Sequence, residues 1–87
     1  MTFVLIYSFP PERREAVVAR YKETGGGLPP TGVKLLSRWH VIGGGRGFLI
    51  VESDDPMAIA KWVQQWTDVT SFEVCPVMSD EVLAQVI

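Results

Sequence analysis

The sequence has few of the residues that cross-link a small protein or hold a metal ion. Cys75 is the only cysteine among 87 residues, so no internal disulfide can form. A lone cysteine is typical of a reducing compartment, and we therefore predict a cytoplasmic protein. His40 is the only histidine, so neither a cysteine-based zinc cluster nor a paired-histidine site is available. We predict no metal ion and no cofactor.

Excess positive charge and long apolar segments are also lacking. Lysine and arginine total 8 against 10 aspartates and glutamates, which gives a net charge of −2. Nucleic-acid binding needs a basic patch that neutralises phosphates, so nucleic acid is not a predicted partner. No apolar run approaches the roughly 20 residues that cross a bilayer, so no membrane association is predicted. The apolar segment Thr2–Phe9 has no basic flank and no cleavage site, and it predicts a strand rather than a signal peptide.

Apolar residues, in contrast, are abundant, at 47% of the chain. The length predicts a single domain over residues 1–87. A domain of this size buries only about 60–65% of the surface of its unfolded chain. It therefore depends on a rich core or on association with another chain.

The apolar pattern predicts two β-α-β units and a short final helix. Pro11 suits the first turn of the first helix, whose inward stripe is Arg14, Val17, Val18 and Tyr21. Asp54-Asp55-Pro56 starts the second helix, and Pro76 predicts that the last strand lies at a sheet edge or carries a bulge. The segments are strands at Thr2–Phe9, Val33–Ile42, Gly47–Ser53 and Ser71–Met78, a loop at Gly25–Gly32, a hairpin at Gly43–Arg46, and a final helix capped by Ser79. This order predicts an α+β, ferredoxin-like β-α-β-β-α-β fold with an antiparallel four-stranded sheet and a short C-terminal helix.

The sheet of this fold has a second face that the helices do not cover. Either parity of the first strand leaves apolar side chains on that open face, and the third strand repeats the pattern. Soluble monomers rarely expose an apolar patch of this kind. We therefore predict a homodimer in which a second subunit covers the open face.

Arg38 and His40 share one face of the second strand, while Leu35, Trp39 and Val41 share the other. We expect the apolar set to face the helices, which places Arg38 and His40 on the open face. A hairpin loop over residues 43–45 places Arg38 opposite Ile50, and Glu52 then joins the same face. An even loop length would remove Glu52 from it.

The odd register predicts a half-apolar cavity between two sheets, lined by Tyr7, Arg38, His40, Glu52 and Glu73. Apolar walls with a few polar groups are typical of small-molecule sites. His40 can move a proton near neutral pH, and Arg38 can hold a carboxylate or an oxyanion. Arg38, His40 and Glu52 are the candidate catalytic residues. The alternative is that these charges pair with one another across an interface or face solvent.

Other conspicuous features favour structural roles. The glycine run at residues 43–47 lies between two strands and lacks the strand-to-helix context of a phosphate-binding loop. Trp62 and Trp66 have helical spacing and are expected in the core. Cys75 is expected to be a small buried hydrophobic residue rather than a nucleophile.

Several segments together resemble a family of short bacterial proteins classed as a domain of unknown function. They are Phe9-Pro10, residues 24–34, Arg38-Trp39-His40, Gly47-Phe48, residues 51–55 and residues 72–77. The resemblance covers nearly the whole chain and implies a ferredoxin-like fold of the dimeric α/β-barrel superfamily, with no established activity. Cofactor-free monooxygenases, muconolactone isomerases, haem enzymes of the chlorite dismutase type and ligand-sensing regulators share that fold, so any of these activities would be carried over by analogy alone.

Two hypotheses of function follow from the sequence. In the first, the protein binds a small molecule between sheet and helices or in the barrel interior, as a binder or as a monooxygenase- or isomerase-like enzyme without a cofactor. In the second, it is a non-catalytic dimeric sensor or interaction module, and the same residues form interface ion pairs. An open interior that exposes His40 would favour the first hypothesis, and a filled interior would favour the second.

Overall fold

Four strands and three α-helices follow one another in the order predicted from the sequence. The computed structural model describes residues 1–87. The elements are β1 (Thr2–Ser8), a 3-10 turn (Pro11–Arg13), α1 (Arg14–Glu23), β2 (Lys34–His40), β3 (Arg46–Glu52), α2 (Pro56–Gln64), β4 (Ser71–Val77) and α3 (Asp80–Val86). None of the helices combines the length and the apolar character that a bilayer crossing needs.

The strands form one antiparallel sheet in the order β2-β3-β1-β4. This order confirms the predicted α+β, ferredoxin-like fold, with β1 and β3 at the centre. It also confirms the predicted edge position of the last strand. Pro76 lies in β4 opposite Phe3 and has no N–H to offer a further strand.

The two faces of the sheet differ in burial. Leu5 of β1 is 1% exposed and packs with Leu49 and Val51 of β3 on the face that the helices cover. Ile59 and Trp62 of α2 belong to the same core. Because side chains alternate along a strand, Val4 and Ile6 of β1 lie on the open face, where they are only half-buried.

Strand β2 contains a β-bulge that the sequence pattern did not reveal. Leu35 lies opposite Val51 and Ser37 lies opposite Ile50, so Leu36 is an additional residue. The alternation is shifted by one residue beyond this point, and Arg38 lies opposite the buried Leu49. The expectation that Arg38 lies opposite Ile50 on the open face was therefore wrong.

The residues after the bulge change faces accordingly. Arg38 and His40 lie on the helix-covered face, because their partners in β3 are Leu49 and Gly47. Trp39, expected to face the helices, lies opposite Phe48 on the open face and is 60% exposed.

Helix α2 begins as its sequence predicts. Asp55 Oδ1 accepts hydrogen bonds from the backbone N–H groups of Met57 and Ala58 at 3.0 and 3.3 Å, and Pro56 occupies the first helical position. The buried Ser53 hydroxyl donates to the carbonyl of Gly32 at 2.6 Å. These bonds fix α2 against the end of β3, so that its apolar side meets the core.

Helix α1 packs much more loosely than α2. None of its residues is buried, and Val18 and Tyr21 of the predicted inward stripe remain exposed. Arg20 anchors the helix, since its guanidinium donates to both carboxylate oxygens of Asp68 at 2.5 and 2.7 Å. It also donates to the carbonyl of Gln65 at 2.7 Å. These bonds fix one side of α1, while space remains between the helix and the sheet.

Helix α3 begins at the predicted cap, where the Ser79 hydroxyl accepts from the N–H of Val82 at 3.3 Å. All of its residues are exposed, including Leu83 and Val86. Its apolar stripe thus has no partner within this chain.

Candidate functional site: a cavity beneath the first helix

A cavity of about 330 Å³ lies between the helices and the covered face of the sheet. Hydrophobic residues make up 11 of the 15 that line it. Leu5 and Phe72 contribute from the sheet, Val18 from α1, and Trp62 from α2. This volume is at the lower end of the range found for small-molecule sites, so it suits a ligand of one or two rings.

Tyr7 and His40 meet on the cavity wall although a strand separates them. Both lie opposite Gly47, Tyr7 in β1 and His40 in β2. A Cβ atom at Gly47 would overlap the Tyr7 ring, so only glycine lets that ring lie across β3. The Tyr7 hydroxyl oxygen is 2.6 Å from His40 Nδ1. The hydroxyl donates when Nδ1 is unprotonated and accepts when Nδ1 carries the proton.

Burial raises the pKa of the Tyr7 hydroxyl above its ordinary value. The nearby Arg38 guanidinium opposes this effect by favouring the phenolate, and Tyr21 adds to the increase in pKa. Because the ordinary pKa of tyrosine is about 10, the hydroxyl remains protonated at neutral pH. Tyr7 therefore provides the cavity wall with a neutral hydroxyl.

Arg38 crosses from β2 to the loop that follows α1. Its Nη1 and Nη2 atoms donate to the carbonyls of Gly27 and Gly26 at 3.1 and 2.6 Å. Its guanidinium carbon lies 5.4 Å from the centroid of the Tyr21 ring, a cation–π distance. Gly27 has a φ of 63°, and a Cβ atom there would lie 3.2 Å from Arg38 Nη1, so both its backbone conformation and this close contact favour glycine.

The structure brings together three of the five residues that the sequence analysis selected. Tyr7, Arg38 and His40 line the cavity, which lies between sheet and helices rather than between two sheets. Glu52 lies at the other end of the sheet, opposite Thr2 and Lys34, and is exposed. Glu73 lies opposite Ile6 on the open face. The expectation that both glutamates share a cavity with Arg38 was wrong, because the bulge moves Arg38 to the covered face.

Thr70 and Trp66 also line the cavity, and the sequence analysis did not assign either to a site. Trp66 was expected in the core but is only half-buried, and the guanidinium carbon of Arg20 in α1 lies 5.9 Å from the centroid of its ring. The Thr70 hydroxyl is buried without a hydrogen-bond partner. No local pattern marks Thr70, since a single threonine ahead of a strand is common in loops.

Residues 1–87 match the family model described as a domain of unknown function, DUF3303. The chain belongs to this family. No curated protein matches it. The match agrees with the resemblance to a domain of unknown function, and it assigns no activity to this DUF3303 domain.

The cavity of the DUF3303 domain offers two kinds of chemistry. The Tyr7–His40 pair can donate a proton to a bound molecule or accept one from it. Arg38 supplies a fixed positive charge with planar donors that match a carboxylate. The structure contains no group of three or more histidine, cysteine, aspartate or glutamate side chains that could hold a metal ion. The candidate catalytic roles of Arg38, His40 and Glu52 stay a hypothesis, and Glu52 is remote from the other two.

Proposed function

We propose that this domain, as a single unit over residues 1–87, binds a small and largely apolar molecule in the cavity between the sheet and the helices. The observation that carries the proposal is the apolar cavity of about 330 Å³, with Tyr7, Arg38 and His40 converging on its wall. Apolar walls with a few placed polar groups are the usual composition of a ligand site. The rings of the ligand would lie among the aromatic side chains, and its polar group would meet the three polar residues.

The energetics of an apolar cavity support this proposal. Side chains that line an unfilled space lose the dispersion contacts that a packed core would give them. A molecule that fills the space restores those contacts. At a ligand concentration 100 times its dissociation constant, the folded state gains about 2.7 kcal/mol, which raises the melting temperature.

A cavity-filling substitution tests this proposal. Val18 of α1 lines the cavity, and Val18→Trp should occupy part of the space while leaving the core contacts of α2 intact. We expect naphthalene-sized compounds that raise the melting temperature of the wild-type protein to leave that of the variant unchanged. Thermal-shift measurements with a panel of one- and two-ring compounds give the comparison.

Ala19→Trp is the matched control, because Ala19 is exposed on the same helix and does not line the cavity. It should keep the full ligand-induced increase in melting temperature. An equal increase in the wild-type protein and in Val18→Trp would show that the compounds bind elsewhere.

We also propose that a second copy of the chain covers the open face of the sheet, as in the dimeric α/β-barrel superfamily. Trp39 and Phe48 are adjacent on that face and are 60% and 43% exposed. Leu83 and Val86 of α3 add apolar surface that has no partner within the chain. Only 11 of 87 residues are buried, so the core is small, and association would add burial that a domain of this size needs.

A further inference from the structure

We infer that the molecule bound in the cavity is a monoanion, a ring compound with one carboxylate that Arg38 holds at the cavity wall. This inference rests on the proposed function and specifies the class of ligand. It depends on the placement of an arginine without a counter-ion beside an apolar cavity of ligand size.

The positive charge of Arg38 at the cavity wall has no counter-ion. The cavity lining contains no aspartate, glutamate or lysine, and Arg38 is its only permanently charged residue. The ion pairs of the chain lie elsewhere, between the N-terminus and Asp54 and between Arg20 and Asp68. Arg38 is half-buried and has only backbone carbonyls as hydrogen-bond partners. A cation removed from water without a counter-ion is unfavourable, so the site attracts an anion.

Arg38 also has hydrogen-bonding capacity to spare. A guanidinium has five N–H donors, and Arg38 uses two of them on Gly26 and Gly27, which leaves three. A planar carboxylate matches the spacing of neighbouring guanidinium donors. The protonated Tyr7 hydroxyl is on the same wall and can donate to a carboxylate oxygen once His40 releases it.

A single positive charge also limits the charge of the ligand. A phosphate dianion would leave one negative charge uncompensated in a mainly hydrophobic cavity, which is costly. An ammonium compound would place a second cation beside Arg38 and would be repelled. The cavity therefore favours a monoanionic carboxylate over a neutral, cationic or dianionic compound of the same size.

Three probes of equal ring size and different charge test the inference on the full chain. They are 2-naphthoate, the neutral 2-naphthamide, and the cationic 2-naphthylmethylamine. Because a hydrogen bond between two charged groups is stronger than one with a neutral partner, we expect 2-naphthoate to bind about tenfold more tightly than 2-naphthamide. The amine should bind most weakly. Isothermal titration calorimetry measures all three dissociation constants.

Substitutions at Arg38 identify the source of this preference. Arg38→Gln should give the carboxylate and the amide equal affinities, while Arg38→Lys should keep a smaller preference for the carboxylate because it lacks the planar fork. Arg46→Gln is the control, since Arg46 is exposed and outside the cavity lining, and it should keep the wild-type ratio. Circular dichroism checks that each variant is folded, and Arg38→Lys provides the comparison if Arg38→Gln does not fold.

The possible outcomes separate this inference from the proposed function. Equal affinities of the wild-type protein for 2-naphthoate and 2-naphthamide would overturn the inference and leave ligand binding intact. The inference would also be overturned if the folded Arg38 variants kept the full preference for 2-naphthoate. Arg38 would then serve only to hold the Gly26-Gly27 loop through its hydrogen bonds. Absence of binding by all three probes would count against the cavity as a ligand site altogether.

Discussion

At the scale of single residues, Gly47 determines whether the two titratable rings of the cavity wall can meet. The Tyr7 ring lies over the position where any other residue would have its Cβ atom. Tyr7 Oη then reaches His40 Nδ1 across β3. The hydrogen bond between two strands that are not neighbours thus depends on the absent side chain of the strand between them.

Gly47→Ala should therefore separate Tyr7 from His40. The added methyl group overlaps the Tyr7 ring and the Trp39 carbonyl oxygen, and neither can move freely, since one is packed and the other is backbone. We expect a loss of about 1–3 kcal/mol in the free energy of unfolding, as for other overpacked sites. Urea denaturation measures the loss, and the NMR signals of the His40 ring report the broken contact.

Gly43→Ala is the matched control for this substitution. A Cβ atom at Gly43 has no neighbouring atom within 4 Å, and its backbone is not left-handed. The variant should be as stable as the wild-type protein. If both alanine variants unfold at the same urea concentration, the proposed role of Gly47 is wrong.

At the scale of elements, the sequence did not predict the bulge in β2 or the face on which Arg38 lies. The bulge at Leu36 has no local signal, since the segment Lys34–His40 contains neither glycine nor proline. It is set by tertiary packing, which places Leu35 beside Val51 and Arg38 beside the Gly26-Gly27 loop. Strict alternation, the only rule available from the sequence, assigned Arg38 to the wrong face.

The ion pair between Arg20 of α1 and Asp68 should make the stability of the fold depend on pH. The hydrogen bonds from Arg20, and secondarily its charge, hold the pKa of the Asp68 carboxyl below its usual value. A depressed pKa in the folded state means that the ion pair stabilises the fold above the ordinary aspartate pKa of about 3.9. This stabilisation disappears as the pH falls through the pKa of the folded state.

Asp68→Asn should accordingly lower the melting temperature at pH 7, and the difference from the wild-type protein should decrease towards zero in acid. Thermal denaturation between pH 7 and about pH 2, below the ordinary pKa of aspartate, measures this profile. Asp54→Asn provides the comparison, because Asp54 is fully exposed and pairs only with the N-terminus. A difference that stays constant across this range would exclude the ion pair as its cause.

At the scale of the whole molecule, the sequence predicted the fold well and the cavity poorly. The order of elements, the cap at Asp55, and the edge position of β4 follow from local signals that act within a few residues. The cavity results from the distance between α1 and the sheet, which depends on contacts such as Arg20 with Asp68 that are far apart in the chain. Tyr7 and His40 were selected from the sequence, but their hydrogen bond across Gly47 was not.

The proposed dimer is a property of the whole molecule as well. We expect light scattering at micromolar concentration to give twice the chain mass of 9.7 kDa. Trp39→Glu places a charge beside Phe48 on the exposed apolar face and should give a monomer. Lys61→Glu, an exposed change on α2, should remain dimeric. A wild-type protein with the mass of one chain would contradict the proposal.

The bulge at Leu36 has an evolutionary consequence. Because Leu35 and Ser37 already lie opposite consecutive residues of β3, deletion of Leu36 would leave every pair on either side of it unchanged. The strand can thus lose or regain one residue here without exchanging the positions that face the cavity and those on the open face. A homologue one residue shorter in β2 would need a gap at this position in an alignment, since an ungapped comparison would equate Arg38 with a residue on the opposite face.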